Sequence, residues 1–176
     1  MVFFKNLRTR AHQFILSRKL KEVRNQHQTV RYDNASSIGL LFDGTKPENM
    51  EPAKKYYQFL RSINKKAHLL CYIEKERPGE SLPFDYLTKK NLNWCFIPEH
   101  SKATEFTGSR FDLLINLCTE ECLPLEYISA LSNSVYRVGR FIPEKPFCHD
   151  LMIDLNGKTD MNYFVGQVEQ YLRMIK

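Results

Sequence analysis

A chain of 176 residues with an apolar fraction of 43% and a charged fraction of 26% has the composition of one ordinary folded domain. That length buries roughly two thirds of the unfolded surface, so neither a metal nor a disulfide is needed for stability. No uninterrupted apolar stretch approaches the roughly 20 residues of a bilayer-spanning helix, so no transmembrane segment is expected.

The charge is uneven. Residues 1–32 carry Lys5, Arg8, Arg10, Arg18, Lys19, Lys21, Arg24 and Arg31 against the single acid Glu22, a net of +7. The whole chain is +6, so the other 144 residues sum to −1. From about Phe3 to Gln28 there is no proline or glycine, and good helix formers predominate, which predicts a basic amphipathic helix. Phe4, Leu7, Ala11 and Phe14 repeat at helical spacing, and Leu16, Leu20 and Val23 continue the stripe after a small shift in face. No compact apolar core with a small-residue cleavage site follows, so a secretory signal is not expected, although a basic, acid-poor start also has the pattern of a transit peptide. Three readings compete for the segment: a docked helix with a solvated face, a contact to RNA or a ribonucleoprotein, or a contact to an anionic membrane surface.

Residues 33–176 read as a single α/β domain. Ile38 to Phe42 is a short apolar run that stops at Asp43, Gly44 and Thr45, the pattern of a strand buried on both faces. Lys46-Pro47-Glu48-Asn49 is expected to start a helix that runs to about Ile63, with Asn49 as a candidate N-cap and Met50, Ala53, Tyr57, Leu60 and Ile63 as its apolar stripe, and a second strand is expected over Ala67–Ile73. Residues 74–91 lack a clear pattern. A third strand is placed at Asn93–Ile97, with Phe84, Tyr86 and Trp94 expected in the core. Ser101 to Ser109 reads as a short, weakly helical link.

The clearest buried strand is Phe111–Leu117, followed by a helix over Pro124–Asn133 and a fifth strand at Val135–Phe141. Too few residues separate that strand from Asp150–Leu155 for a helical return, so these two are expected to be antiparallel, or not direct neighbours. A final helix runs from Asp160 to Ile175. The expected fold is a three-layer, Rossmann-like sheet of five or six mostly parallel strands with an antiparallel edge, preceded by the basic helix.

Four segments, Ser37–Asp43, Leu92–Trp94, Phe111–Leu117 and His149–Asp154, together resemble a family of short, functionally uncharacterised proteins from the Bacteroidetes. That resemblance spans nearly the whole chain, implies a cytoplasmic protein and brings no activity with it. A fold-level likeness to the N-terminal Rossmann-like half of the heptosyltransferases rests on an Asp-Leu-led apolar strand that passes through a helix to a short strand ending near Gly139. The chain lacks that family's second domain and its loop after the first strand, so a complete enzyme of that class is not expected.

No GxGxxG follows the first strand and no GxxxxGK[ST] occurs, so neither a dinucleotide cradle nor a P-loop is expected, and no cofactor is expected. The candidate ligand-binding set is Asp43, Gly44 and Thr45 after the first strand, with Asn116, Thr119 and Glu120 after the fourth, at a potential topological switch point. The alternative is an Asx-type turn at Asp43 and a solvated Glu120. The five cysteines, Cys71, Cys95, Cys118, Cys122 and Cys148, are odd in number and three lie in or at the end of apolar runs, so buried, reduced thiols are expected rather than a disulfide framework. Cys118-x3-Cys122 with Cys148-His149 has zinc-ligand residue types but not the usual spacing, and no metal is expected. Two functions follow. The leading one is a non-catalytic module that engages RNA or a ribonucleoprotein such as the ribosome through the basic helix. The other is a nucleotide or sugar-phosphate site at the carboxyl edge of the sheet, completed by a protein partner.

Overall fold

The computed structural model describes residues 2–22, 28–76 and 82–175. Strands β1 (Ser37–Asp43), β2 (Lys66–Ile73), β3 (Asp85–Thr88), β4 (Leu113–Asn116), β5 (Tyr136–Arg140) and β6 (Leu151–Ile153) form one sheet in the order β3-β2-β1-β4-β5-β6. Every adjacent pair is parallel. Near-continuous apolar runs such as Ile38–Phe42 suit this arrangement, because each strand has both faces covered.

Helices α2 (Met50–Ser62) and α5 (Met161–Met174) cover one face, where Ala53, Leu60, Phe164 and Val168 pack on Ile38, Leu40, Phe42 and Ile115. Helices α3 (Ser101–Gly108) and α4 (Leu123–Leu131) cover the other, with Phe106, Leu125 and Ile128 on Leu41, Leu70 and Leu114. Alternate residues of the same strands therefore feed two separate cores. The N-terminal helix α1 (Val2–Glu22) lies outside α4 in a third cluster, made by Leu16, Tyr127, Ala130, Cys95 and Cys148.

Several expectations are corrected. The sheet has no antiparallel edge: β6 pairs with β5 in parallel, Val138 opposite Leu151 and Arg140 opposite Ile153. The connection is short but needs no helix, because side chains hold it down. The Asp150 carboxylate accepts from the Arg137 backbone N–H at 2.8 Å and from its guanidinium at 3.1 and 2.9 Å, while Lys145 reaches into α4.

The third strand is Asp85–Thr88, inside the region that showed no pattern, and Asn93–Ile97 is a tight turn. Asn93 Oδ1 accepts from the N–H groups of Cys95 and Ile97, and Phe96 sits at φ 60°. Cys95 and Ile97 pack into the cluster with Leu16 of α1, whereas Trp94 is 59% exposed rather than in the core. Phe84, by contrast, packs edge-on against Phe42.

On α1 the buried residues are His12 and Leu16, flanked by Ala11, Ile15 and Leu20, whereas Phe14 is 68% and Leu7 49% exposed. Ala11, Leu16 and Leu20 of the expected stripe thus face the body, whereas Leu7 and Phe14 lie on the other side of the helix from Leu16. In α2, likewise, Tyr56 rather than Tyr57 is fully buried and Ile63 is exposed.

Candidate functional site

Strand order places the topological switch point between β1 and β4, whose neighbours continue in opposite directions. Asp43, Gly44 and Thr45 leave the carboxyl end of β1, and Asn116 ends β4 with Thr119 and Glu120 just beyond it, so the sequence-selected residues share one edge. There they mostly bond to the protein itself. Asp43 Oδ1 accepts from the Thr45 N–H at 2.9 Å, the Asx turn weighed as the alternative, and its carbonyl accepts from the Asn49 side chain. Thr45 Oγ1 accepts from the Glu74 N–H at 3.1 Å.

Gly44 is fixed by close packing, since a Cβ there would lie 2.6 Å from Cys71 Sγ and 2.8 Å from Met50 Sδ. Asn116 is buried, and its Oδ1 accepts from the Cys118 N–H. Glu120 is half-exposed and pairs with Lys46, closing the loop after β1 onto the loop after β4. Both side chains are about half-exposed, so solvent screens this pair. Thr119 stands apart and lines a small cavity toward β5 and β6.

All five cysteines are free and buried. Cys122 hydrogen-bonds with Cys118; burial and that bond hold its thiol well above the ordinary range. Burial pushes Cys148 up to about 12, so neither is a ready nucleophile. Among the described residues, no group of three or more His, Cys, Asp or Glu side chains could hold a metal ion.

The densest polar cluster was missed. Glu126 of α4, 2% exposed, accepts from Lys145 Nζ at 2.6 Å and from the Arg140 guanidinium at 3.3 Å, and Lys145 also reaches Glu121 at 3.0 Å. Burial works against the Lys145 ammonium, but Glu126 and then Glu121 outweigh it and raise its pKa. The signal available was a lone acid in the apolar run Leu123–Ile128. Next to this cluster lies His149, 4% exposed and packed on Gly139; neither ring nitrogen makes a hydrogen bond of ordinary geometry, although the Arg140 backbone acts weakly on the ring. Burial, then Arg137 and Arg140, lower its pKa to about 3.

The second candidate surface is α1. Arg8 is spent on the body: its Nε donates to the Trp94 carbonyl and its guanidinium lies 3.9 Å over the Phe96 ring. His12 Nδ1 lies 2.9 Å from the Cys95 carbonyl oxygen, and the Lys19 ammonium lies 5.6 Å from the Tyr127 ring. Arg10, Arg18 and Lys21 face solvent, and Arg31 is exposed beyond the helix. Lys5 is on α1, and Arg24 falls outside the described residues. Among the described residues, no helix is long and apolar enough to cross a membrane.

Residues 8–175 match the model of a family of unknown function (DUF6913). No curated protein and no solved structure matches the chain.

Proposed function

The chain belongs to that family of unknown function, and from its own surfaces we propose that it is a binding module that holds RNA, alone or within a ribonucleoprotein, on the outer face of α1. The observation that carries this is a stripe of exposed residues: Leu7, Arg10, Phe14, Arg18 and Lys21 recur at spacings of three and four, which stacks them along one side of the helix. The opposite side, centred on Leu16 and His12, is occupied by α4 and the Asn93–Ile97 turn. A docked helix presents its cations in a fixed array, and each cation that meets a phosphate releases counterions. Phe14, 68% exposed between Arg10 and Arg18, offers a face on which a base can stack.

An anionic bilayer is the weaker fit. Among the α1 residues whose side chains are described, Ala11, Ile15, Leu16 and Leu20 pack on the body and Leu7 and Phe14 are the apolar ones exposed to solvent, too little area to enter a headgroup layer as amphipathic surface helices do. The stitched loops at the switch point also favour the helix over a ligand site at Asp43 and Asn116.

The test is fluorescence anisotropy of a labelled single-stranded RNA, with pelleting of purified ribosomes, across a salt series, using the wild type and the triple variant Arg10→Glu, Arg18→Glu, Lys21→Glu. Binding that weakens steeply with salt is expected, and the variant should lower the slope of log K against log salt by about 2 for a single strand. An unchanged slope, absence of binding at low salt, or capture by phosphatidylserine vesicles without RNA binding would each overturn the reading.

A further inference from the structure

At the carboxyl ends of β5 and β6 a small cavity of about 150 Å³ is lined by Thr119, Arg140, Asp154, Gly157, Lys158 and Thr159 among others. We propose that this cavity binds a terminal phosphate group, a phosphate monoester or inorganic phosphate. It lies at the edge of the sheet where α/β proteins collect ligands, one strand over from the switch point whose own loops are closed. The lining is rich in donors. Arg140 brings a guanidinium with five N–H groups, Lys158 an ammonium, and Thr119 and Thr159 two hydroxyls.

The guanidinium has capacity to spare. Its partner Glu126 is engaged more closely by Lys145, at 2.6 Å against 3.3 Å, so Lys145 supplies the principal counter-charge and Arg140 keeps donors for a second anion. The arginine is also positioned: its side chain is 21% exposed and ends a strand pinned to β6, where Phe141 N–H donates to the Ile153 carbonyl at 2.8 Å. The one carboxylate in the lining, Asp154, accepts from the Asn156 N–H at 2.8 Å, which ties it into the turn that carries Gly157 at φ 76°. Two cations against that single acid leave the lining net positive.

Size and charge together favour a small anion. The volume holds one tetrahedral oxyanion with a few waters, each water taking about 30 Å³. A monoester carries close to two negative charges near neutral pH, with its second ionisation near pH 6, and so gains most from the paired cations.

The experiment is a titration of ¹⁵N-labelled full-length protein followed by NMR, with inorganic phosphate, a nucleoside 5′-monophosphate, and one short RNA prepared with and without a 5′-phosphate. Saturable shifts of the Gly157 and Thr159 amides are expected with phosphate, weakening as pH falls below about 6. Lys158→Glu, at an exposed position, should weaken binding at least tenfold; Arg140→Lys keeps the charge, loses the fork and should weaken it by a similar factor. Tighter binding of the monophosphate than of phosphate assigns a nucleotide, and a response to RNA only when it is 5′-phosphorylated assigns a strand end. No saturable shift with millimolar phosphate, or equal binding by wild type and Lys158→Glu, overturns the site. The triple variant of α1 leaves the cavity intact, so failure of the helix as an RNA contact and failure of this site are read separately.

Discussion

The imidazole of His149 fills the space beside Gly139 of β5 that a side chain on that residue would need. The strand is pinned on both sides of this contact, by the Asp150 N–H to the Arg137 carbonyl and by Phe141 to Ile153, so the backbone cannot retreat. Gly139→Ala should therefore cost about 1–3 kcal/mol by overpacking. In the double variant with His149→Ala the added methyl has room, and the combined cost should fall below the sum of the two single costs. Urea denaturation of the four proteins of the cycle measures this, and additivity would remove the contact from the explanation.

The same histidine makes stability depend on pH. Its folded pKa is lowered to about 3 by burial, below the ordinary value of 6.5, so between these pH values the unfolded chain binds the proton and the folded chain does not. Stability is therefore complete above about pH 6.5 and is lost as pH falls toward 3, with a slope of up to about 1.4 kcal/mol per pH unit from this residue. His12, whose pKa is also lowered by burial, acts in the same direction. Denaturant midpoints from pH 7.5 to 5 should decline in the wild type and decline less in His149→Leu.

Glu126 is buried against Lys145 and Arg140, so its removal leaves Lys145 with Glu121 as its remaining acidic partner and Arg140 without this one. Glu126→Gln should cost about 3–5 kcal/mol, whereas Glu126→Leu combined with Lys145→Met should cost less, because the pair's attraction mainly offsets its desolvation and Arg140, with its side chain 21% exposed, still reaches water. Thermal and urea unfolding of the two variants decide this. Equal losses would mean that the pair itself, rather than an uncompensated charge, is what the fold requires.

The sheet was legible where one strand carries its whole message in a continuous apolar run. Ile38–Phe42 and Leu113–Ile115 are buried in the middle of the sheet, and nothing but a two-sided core explains them. The edges were not legible. Asp85–Thr88 is short and pairs on one side only, so its hydrophobicity is diluted, while Asn93–Ile97 imitates a strand because an asparagine side chain, rather than a ladder, satisfies its backbone.

The parallel β5–β6 return escaped a rule based on chain length because ion pairs, absent from periodicity, fold the connection down. Asp43, Gly44, Thr45 and Asn116 lie at the carboxyl edge of the sheet, a position that follows from the strands themselves. Of their bonds, the Asx turn between Asp43 and Thr45 was legible because it is local, whereas the bond from the Glu74 N–H to Thr45 was not, because it depends on which loops meet.

The two sides of α1 should respond oppositely to truncation. Leu16 is 2% exposed in the cluster with Tyr127, Ala130 and Cys148, and Phe14, two residues away, is 68% exposed. Leu16→Ala removes a buried side chain and leaves a cavity, a change that costs about 2–5 kcal/mol in a closed core. Here the helix can detach instead, so the loss should appear first as increased hydrogen exchange along α1 and at Cys95, whose carbonyl meets His12, while the sheet keeps its protection. Phe14→Ala should change stability by less than about 0.5 kcal/mol, as exposed positions do. If the helix works through its outer stripe, Phe14→Ala nevertheless weakens RNA binding by about 1–3 kcal/mol, the contribution of one stacked base. Leu16→Ala weakens it too, by freeing the cations from their fixed array. A Phe14 variant that is stable and binds as the wild type does would leave that stripe as ordinary surface and α1 as a docked helix only.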